Sequence, residues 1–277
     1  MGDGRERLIG GIVMVGTKKS LGQHWLKNRM ILEKIADLAS VGANEASAYD
    51  FAEKTEVETC LEIGPGLGTL TSSLLRRFNK VIAVEYDARL AENLPKSFPG
   101  KNLEVVNEDI LKFDFAKISG RYVVAGNIPY YITSPIIEKL LTVHNLPQRI
   151  VLLIQKEVAE RILDTRGTVL SLFVKNRARV FPGLIVSREE FTPPPKVDSQ
   201  VIILEPYDEP KVAEEVFQLI RVGFKTPRKK LVHNLSSLAP REKLHKVFDE
   251  IGVNPDARPA DLGLEEWEKL YKVLGVV

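Results

Sequence analysis

The chain has 277 residues, of which 44% are hydrophobic and 27% are charged, a composition typical of a soluble globular protein. That composition excludes a collagen-like or disordered chain, and the length predicts one large domain, or one with a smaller partner. The single cysteine, Cys60, excludes an intrachain disulfide and a Cys-rich metal site, which favours a cytoplasmic protein. The 39 basic and 37 acidic residues give a net charge of +2, which by itself indicates no particular partner.

The N-terminus carries a short apolar stretch, Leu8–Val15, preceded by two arginines. It is far shorter than the roughly 20 residues that span a bilayer, and no Ala-x-Ala cleavage site follows it before Lys18. We therefore predict neither a transmembrane helix nor a secretory signal. Because Met14 stands just before the segment TKKSLGQHWL, residues 1–17 are interpreted as an N-terminal extension, with disorder as an open alternative.

An amphipathic helix is predicted at Met30–Leu38, ahead of an alternation of apolar strands and amphipathic helices that is typical of βαβ units on a parallel sheet. The predicted strands are Thr59–Ile63, Lys80–Glu85, Leu103–Asn107, Tyr122–Gly126 and Arg149–Ile154. The helices between them are predicted near Gly68–Arg77, Ala88–Leu94 and Ser134–Val143.

After Phe181 the pattern changes, because the apolar runs Gly183–Val186 and Val197–Leu204 are joined by FTPPPKV, which leaves no room for a crossover helix. We expect these strands to pair antiparallel. The sheet should therefore be mixed but mainly parallel, in an α/β domain at 18–207. Apolar residues at helical spacings predict a small α-helical domain at 208–277.

A glycine-rich turn, LEIGPGLGTLT, follows the first predicted strand and carries Gly64, Gly66 and Gly68. Glycines there let a ligand approach the backbone where the next helix begins. The dinucleotide fingerprint G-x-G-x-x-G would need a glycine at Thr69, so a nicotinamide-dependent oxidoreductase is disfavoured.

Two carboxylates follow the next strands in the same way. Glu85 ends the second strand, where it could accept hydrogen bonds from both ribose hydroxyls of a nucleoside, and Asp109 follows the third. Three successive strand ends would then form one crevice. The alternative is that Glu85 and Asp109 only cap the helices after them.

The sharpest motif is Asn127-Ile128-Pro129-Tyr130, after the fourth strand. The exocyclic amine of adenine is a poor nucleophile, and an Asn oxygen with a nearby backbone carbonyl could accept both of its hydrogens and free its lone pair for attack. Tyr130 would offer a face on which an extruded base stacks. The alternative is a strand-terminating turn with a core tyrosine.

Basic residues are concentrated in the C-terminal part, where the segment from residue 221 to residue 246 has eight basic residues and one acid. Such a cluster on a balanced chain suits phosphate binding, although a solvated helix face is the alternative. The predicted RNA-binding residues are Arg221, Lys225, Arg228, Lys229 and Lys230.

These motifs together resemble the small-subunit ribosomal RNA adenine N6,N6-dimethyltransferases of the kasugamycin-resistance type. The resemblance extends from about Lys18 to Leu274, through KKSLGQHWL, LEIGPGLGTLT, VEYD, NEDIL, GNIPY, LLIQKEVAERI, FTPPPKVDS and FKTPRKKLVHNL. It implies a Rossmann-like fold, S-adenosylmethionine as cofactor, and transfer of methyl groups to N6 of two adjacent adenosines near the 3′ end of small-subunit rRNA. It further implies a monomer that uses no metal and no membrane.

The resemblance also implies roles for individual residues. Together with the glycine turn, it predicts cofactor binding by His24, Leu26, Gly64, Gly66, Glu85, Asp109 and Asn127. The residues expected to hold the base are Asn127, Tyr130 and Phe191, although Phe191 could equally be a core aromatic. Cys60 is interpreted as a core residue.

The chain departs from the family pattern in two places that matter. His24-Trp25 replaces the usual Asn-Phe, which alters the N-terminal contacts with the cofactor. The usual Tyr-Gly-Arg-Leu-Ser is missing after Arg161, so no RNA contact is assigned there.

Two other functions remain as alternatives. A large-subunit rRNA adenine methylase of the macrolide-resistance type shares the glycine turn and the Asn-x-Pro-Tyr set, but FTPPPKVDS and the basic FKTPRKKL favour the small-subunit enzyme. A non-catalytic rRNA-binding assembly factor is disfavoured by the intact set of site residues.

Overall fold

The computed structural model describes residues 7–9, 12–14, 23–40, 57–164 and 167–275, which form two compact units. The first unit runs to Lys156 and then takes up Phe181–Glu205. The second contains Glu157–Val180 and the chain from Pro206 onward. The division therefore differs from the predicted boundary at 207, because Glu157–Val180 group with the C-terminal helices.

The first unit is built on a seven-stranded sheet in the order β6-β5-β4-β7-β8-β11-β9. Strands β4 to β8 are parallel to their neighbours, and β11 runs antiparallel to β8. The predicted mixed, mainly parallel sheet is thus confirmed. The strands are β4 (Thr59–Ile63), β5 (Lys80–Glu85), β6 (Leu103–Asn107), β7 (Tyr122–Asn127), β8 (Arg149–Gln155), β9 (Ala178–Val186) and β11 (Ser199–Pro206).

The strands that are buried on both faces were the easiest to predict, since they are continuous apolar runs. β4, β5 and β6 have the predicted bounds, and β7 and β8 each extend one residue further. β9 begins at Ala178, five residues before the predicted run. It lies at the edge of the sheet, where polar Arg179 and Pro182 are exposed and hide the strand pattern.

The helices of the first unit are α1 (Arg29–Ala39), α2 (Thr69–Leu74), α3 (Ala88–Asn93) and α4 (Thr133–Leu140). α1 begins at Asn28, whose side chain accepts hydrogen bonds from the backbone of Met30 and Ile31. One face of α1 is buried, and its residues Leu32, Ile35, Ala36 and Ala39 join the apolar core that includes residues of α2 and of the central strands.

Two small antiparallel strand pairs complete the first unit. β1 (Arg7–Ile9) pairs with β2 (Ile12–Met14) inside the predicted N-terminal extension. The rest of residues 1–17 lies outside the described residues, so that boundary stays a prediction. β3 (Trp25–Leu26) pairs with β10 (Phe191–Thr192), which fixes the N-terminal segment before α1.

The second unit is helical among the described residues, apart from the ends of β9 and β11. Its helices are α5 (Lys156–Leu163, from Glu157 onward), α6 (Val169–Arg177), α7 (Glu214–Gly223), α8 (Leu231–Leu235), α9 (Arg241–Ile251) and α10 (Leu264–Leu274). Trp267, Phe217 and Phe248 are fully buried, and a Cβ at Gly223 would overlap the Trp267 ring. Across the part of the chain that the structure describes, no helix has the length and apolarity needed to cross a bilayer.

Candidate active site

The candidate site lies at the carboxyl ends of the parallel strands. Gly64 follows β4, Glu85 ends β5 and Asn127 ends β7. Because β4 lies between β5 and β7, the chain connects to opposite sides of β4 at this point. Open α/β sheets bind ligands in the crevice at such a switch point.

The glycine turn has a backbone conformation that side chains disfavour. Gly66 and Gly68 have φ values of +59° and +82° in the left-handed region, and Gly68 precedes the first residue of α2. A Cβ at Gly66 would lie 3.3 Å from Trp25 Nε1, and one at Gly68 would lie 2.7 Å from Leu94 Cδ1. Glycine is therefore required here both by conformation and by the close approach of neighbouring side chains.

Glu85 ties the glycine turn to the end of β5. Its carboxylate accepts a hydrogen bond from Gly66 N at 3.1 Å and another from Asp87 N at 2.8 Å. Burial raises the pKa of Glu85, and the two backbone donors oppose that rise. The cap of α3 is Asp87, which accepts from Arg89 N, so helix capping does not account for Glu85.

Asp109 combines a capping role with a place beside a cavity. Its Oδ1 accepts from Leu111 N at 2.9 Å, as the capping alternative proposed. Asp109 also lines a cavity of about 330 Å³ together with Glu85, Ile110 and the exposed rings of Tyr86 and Tyr131. The two readings of Asp109 therefore coexist in the structure.

Asn127 lies in a second cavity, of about 90 Å³, that shares Gly64, Glu85 and Pro129 with the first. The Asn127 Nδ2 group donates to the backbone oxygen of His24 at 2.9 Å. A carbonyl oxygen can only accept, which assigns the amide orientation. The Asn127 oxygen thus remains available as an acceptor.

Tyr130 and His24 form an aromatic pair next to Asn127. Their rings lie 6.0 Å apart between centroids with an interplanar angle of 20°, and both line the smaller cavity. The Tyr130 hydroxyl is 2.7 Å from Ser199 Oγ, and His24 Nδ1 is 2.7 Å from the Pro193 oxygen. Burial raises the pKa of the Tyr130 hydroxyl, so this group stays neutral around pH 7.

Phe191 and Leu26 oppose each other in the β3–β10 pair and are both buried in the apolar core. Leu26 also lines the smaller cavity, whereas Phe191 lines neither of the two cavities. With 3% of its surface exposed, Phe191 packs as the core aromatic of the alternative interpretation. Its contact with a base stays a prediction.

Glu62 is a site residue that sequence reasoning missed. It lies inside β4 with 1% of its surface exposed, and it lines the smaller cavity. Burial, together with the charge of Glu85, raises its pKa to about 8, and its Oε2 has no hydrogen-bond partner among the described residues. An acid within the apolar strand TCLEI, just before the glycine turn, is the signal that could have revealed it.

The predicted RNA-binding residues lie in the second unit, on α7 and on the loop after it, and all five are exposed. Asn234 holds this loop through its side-chain hydrogen bonds to Thr226, and Lys230 pairs with Asp256. In the first unit, by contrast, Arg76 and Arg77 are paired with acids of α1.

The sheet order, the glycine turn after β4 and the acid at the end of β5 define the class of Rossmann-like, S-adenosylmethionine-dependent methyltransferases. Within that class, the Asn-x-Pro-Tyr motif after β7 is the mark of enzymes that act on amines. Residues 14–275 match the model of the ribosomal RNA adenine dimethylase family, and the chain belongs to this family.

Individual relatives agree with this assignment. The chain is 37% identical to the ribosomal RNA small subunit methyltransferase A of Nostoc sp., over 95% of the chain and 100% of the relative. It is 38% identical to the protein of the same name from Geobacillus thermodenitrificans, over 93% of the chain and 90% of the relative.

Two solved structures are similar in fold. A dimethyladenosine transferase from Plasmodium falciparum has a TM-score of 0.72 at 30% identity, covering 91% of this chain and 98% of that one. The 23S rRNA methyltransferase ErmE has a TM-score of 0.71 at 28% identity, covering 91% of this chain and 99% of that one.

Proposed function

We propose that this rRNA adenine dimethyltransferase acts on N6 of two adjacent adenosines near the 3′ end of small-subunit rRNA, during small-subunit biogenesis. The observation that carries the proposal is the Asn127 side chain. It is oriented by His24 and lies beside the glycine turn and the Tyr130 ring. The names of the Nostoc and Geobacillus relatives support the small subunit as the source of the substrate.

The two adjoining cavities fit S-adenosylmethionine. Asp109 and the apolar residues of the larger cavity would hold the adenine, and Glu85 would accept from the ribose hydroxyls at the junction of the cavities. In the smaller cavity, the unpartnered oxygen of buried Glu62 would face the cofactor's ammonium group. The loop glycines leave the backbone open to the methionine part, and His24 and Leu26 would close over it.

The chemistry is an in-line displacement. When bound, S-adenosylmethionine supplies a methyl group on a positively charged sulfur, which is open to direct attack by nitrogen. Asn127 Oδ1 and a backbone carbonyl of the Asn127–Pro129 turn would accept the two amine hydrogens and direct the nitrogen lone pair toward that methyl. Tyr130 would support the extruded base, so catalysis would come from positioning and electrostatics.

The basic loop of the second unit would bind the RNA backbone. Its five exposed cations, Arg221, Lys225, Arg228, Lys229 and Lys230, would neutralise phosphates without reading the base sequence. We expect the enzyme to work as a cytoplasmic monomer on rRNA or a pre-ribosomal small subunit.

The direct test is to incubate the protein with labelled S-adenosylmethionine and small subunits that lack methylation, and then to map the modified nucleotides. We expect label on N6 of two adjacent adenosines near the 3′ end. Label on large-subunit RNA only would instead support the macrolide-resistance type, a function kept open by the similarity to ErmE. Binding without label would support the non-catalytic assembly factor.

A further inference from the structure

The connection from β10 to β11 contacts the aromatic pair of the candidate site at both rings. Near its start, the Pro193 oxygen lies 2.7 Å from His24 Nδ1. At its end, the hydroxyl of Ser199 lies 2.7 Å from the hydroxyl of Tyr130. Ser199 lines neither of the two cavities, so it could influence a bound base only through Tyr130.

Ser199 is a rigid anchor. It is the first residue of β11, is fully buried, and pairs with Gln155 of β8 inside the seven-stranded sheet. The Tyr130 ring, in contrast, starts a short 3-10 turn that directly follows the Asn127–Pro129 segment. A hydrogen bond at the far end of this ring restricts the rotation that the turn alone would leave open.

The orientation of the Tyr130 ring also matters to its neighbour. The His24 ring stands nearly parallel to it, and the backbone oxygen of His24 receives the hydrogen bond that orients Asn127. The plane of Tyr130 and the direction of the Asn127 amide are therefore set by a single connected group of contacts.

We propose that Ser199 is a positioning residue for methyl transfer, fixing the plane of the Tyr130 ring on which the target adenine stacks. This proposal rests on the proposed function, because it needs Tyr130 to be the platform for the base. Ser199 makes no contact with the reacting atoms. Its effect passes entirely through the hydroxyl of Tyr130.

The test is a double-mutant cycle on methylation of unmodified small subunits. Ser199→Ala and Tyr130→Phe remove the same hydrogen bond from its two ends, and Phe keeps the ring. Each single variant should lower kcat/KM for the subunits by about 3- to 10-fold, the range expected for one hydrogen bond. The double variant should be no slower than the slower single variant, because one interaction cannot be lost twice.

Two further measurements separate positioning from damage to the fold. Calorimetry should give wild-type affinity for S-adenosylmethionine in Ser199→Ala. Ser171→Ala removes another fully buried serine hydroxyl, one that bonds only with Thr168 at the start of α6, and should leave kcat/KM unchanged.

The possible results are distinct. Additive losses in the double variant, wild-type turnover in Ser199→Ala, or weakened cofactor binding in that variant would each overturn the positioning role while leaving the proposed function intact. A wild-type protein that methylates no small-subunit RNA would contradict the proposed function, and the role of Ser199 would fall with it.

Discussion

Asn127 combines two roles that one amide can fill at once, since its nitrogen binds the His24 backbone and its oxygen is left to accept. Asn127→Ala should therefore abolish methyl transfer, with a loss of about 3 kcal/mol or more, roughly 100-fold, on the scale known for preorganised hydrogen-bonding groups at reacting atoms. The measurement is the initial rate on unmodified small subunits. Asn145→Ala is a matched control, because Asn145 is also half-buried and also donates to a backbone oxygen, that of Ile118. Turnover of Asn127→Ala within tenfold of wild type would contradict the assignment.

Glu85 is expected to act on the cofactor and not on the RNA. Glu85→Ala should weaken binding of S-adenosylmethionine by about 100-fold or more, since two hydrogen bonds to a charged acceptor are worth about 1.5–3 kcal/mol each. The hydrogen bond that Glu85 accepts from Gly66 N would also be lost, which loosens the glycine turn. Calorimetry measures the cofactor affinity, and filter binding measures the affinity for rRNA. An unchanged cofactor dissociation constant would reduce Glu85 to a loop-stabilising carboxylate.

Glu62 makes the folded protein sensitive to pH. Its pKa rises from 4.5 to about 8 on folding, so the folded state favours the protonated acid. For this group, stability is greatest below pH 4.5 and declines as pH rises toward 8. Glu62→Gln should therefore be more stable than wild type at pH 8, by on the order of 2 kcal/mol, with the difference shrinking toward pH 4.5.

Thermal unfolding of Glu62→Gln across this pH range measures the effect, and the same variant should bind S-adenosylmethionine more weakly. A melting temperature at or below that of wild type at pH 8 would show that the buried acid is not a destabilising group.

At the scale of elements, the N-terminal helix α1 is tied to α2, the helix that follows the glycine turn. Glu33 of α1 accepts hydrogen bonds from Arg77 at 2.7 Å and from Arg76, and Asp37 accepts from Arg77. These arginines lower the pKa of Glu33, with the Arg77 hydrogen bond as the largest cause. The stabilisation is therefore present above the unfolded pKa of 4.5 and is lost as pH falls through the lowered folded value.

Glu33→Gln should accordingly unfold at lower denaturant at pH 7, with a loss of about 0.5–1 kcal/mol because the group is partly exposed. Its stability should also fall less than that of wild type between pH 6 and pH 3. Glu104→Gln breaks a single pair with Lys80, half-exposed on the sheet edge, and should have a smaller effect. Equal losses in the two variants would mean that the α1–α2 network adds nothing beyond an ordinary surface pair.

The elements also show what the sequence could and could not predict. The inner strands and the glycine turn were predictable because burial on two faces and left-handed backbone leave strong local patterns. The link from His24 to Asn127 spans 103 residues and that from Tyr130 to Ser199 spans 69, and no local pattern encodes such contacts. Phe191 shows the same limit, because an aromatic before a proline turn is compatible with either the core or the crevice.

At the scale of the whole molecule, charge is divided unevenly. The basic loop in the second unit is exposed, whereas the arginines of α2 are already paired with carboxylates. Replacing Arg228, Lys229 and Lys230 with Ala should weaken binding to small subunits and flatten its salt dependence by up to three contacts, at about 0.7–0.9 each in slope. Cofactor affinity should not change.

A triple Ala variant of Arg258, Lys269 and Lys272 is the control for these charges, since it removes three exposed cations of the same unit outside the basic loop. Binding titrations at several salt concentrations compare the two variants. If both flatten the slope equally, general charge and not the basic loop holds the RNA.

The division of the chain into interleaved units has a consequence for how the protein is made. α5 and α6 leave the ribosome long before their partners, because Phe173 packs on Phe217 and Asn176 bonds with Val212. The C-terminal helices end at Leu274, so at about 5–20 residues per second these two helices wait on the order of 5–20 s for their whole set of neighbours. During synthesis, the apolar face that contains Leu172 and Phe173 is a natural point for chaperone binding. For the same reason, a chain cut at residue 207 would not yield a self-contained catalytic half, since it would carry this face without its cover.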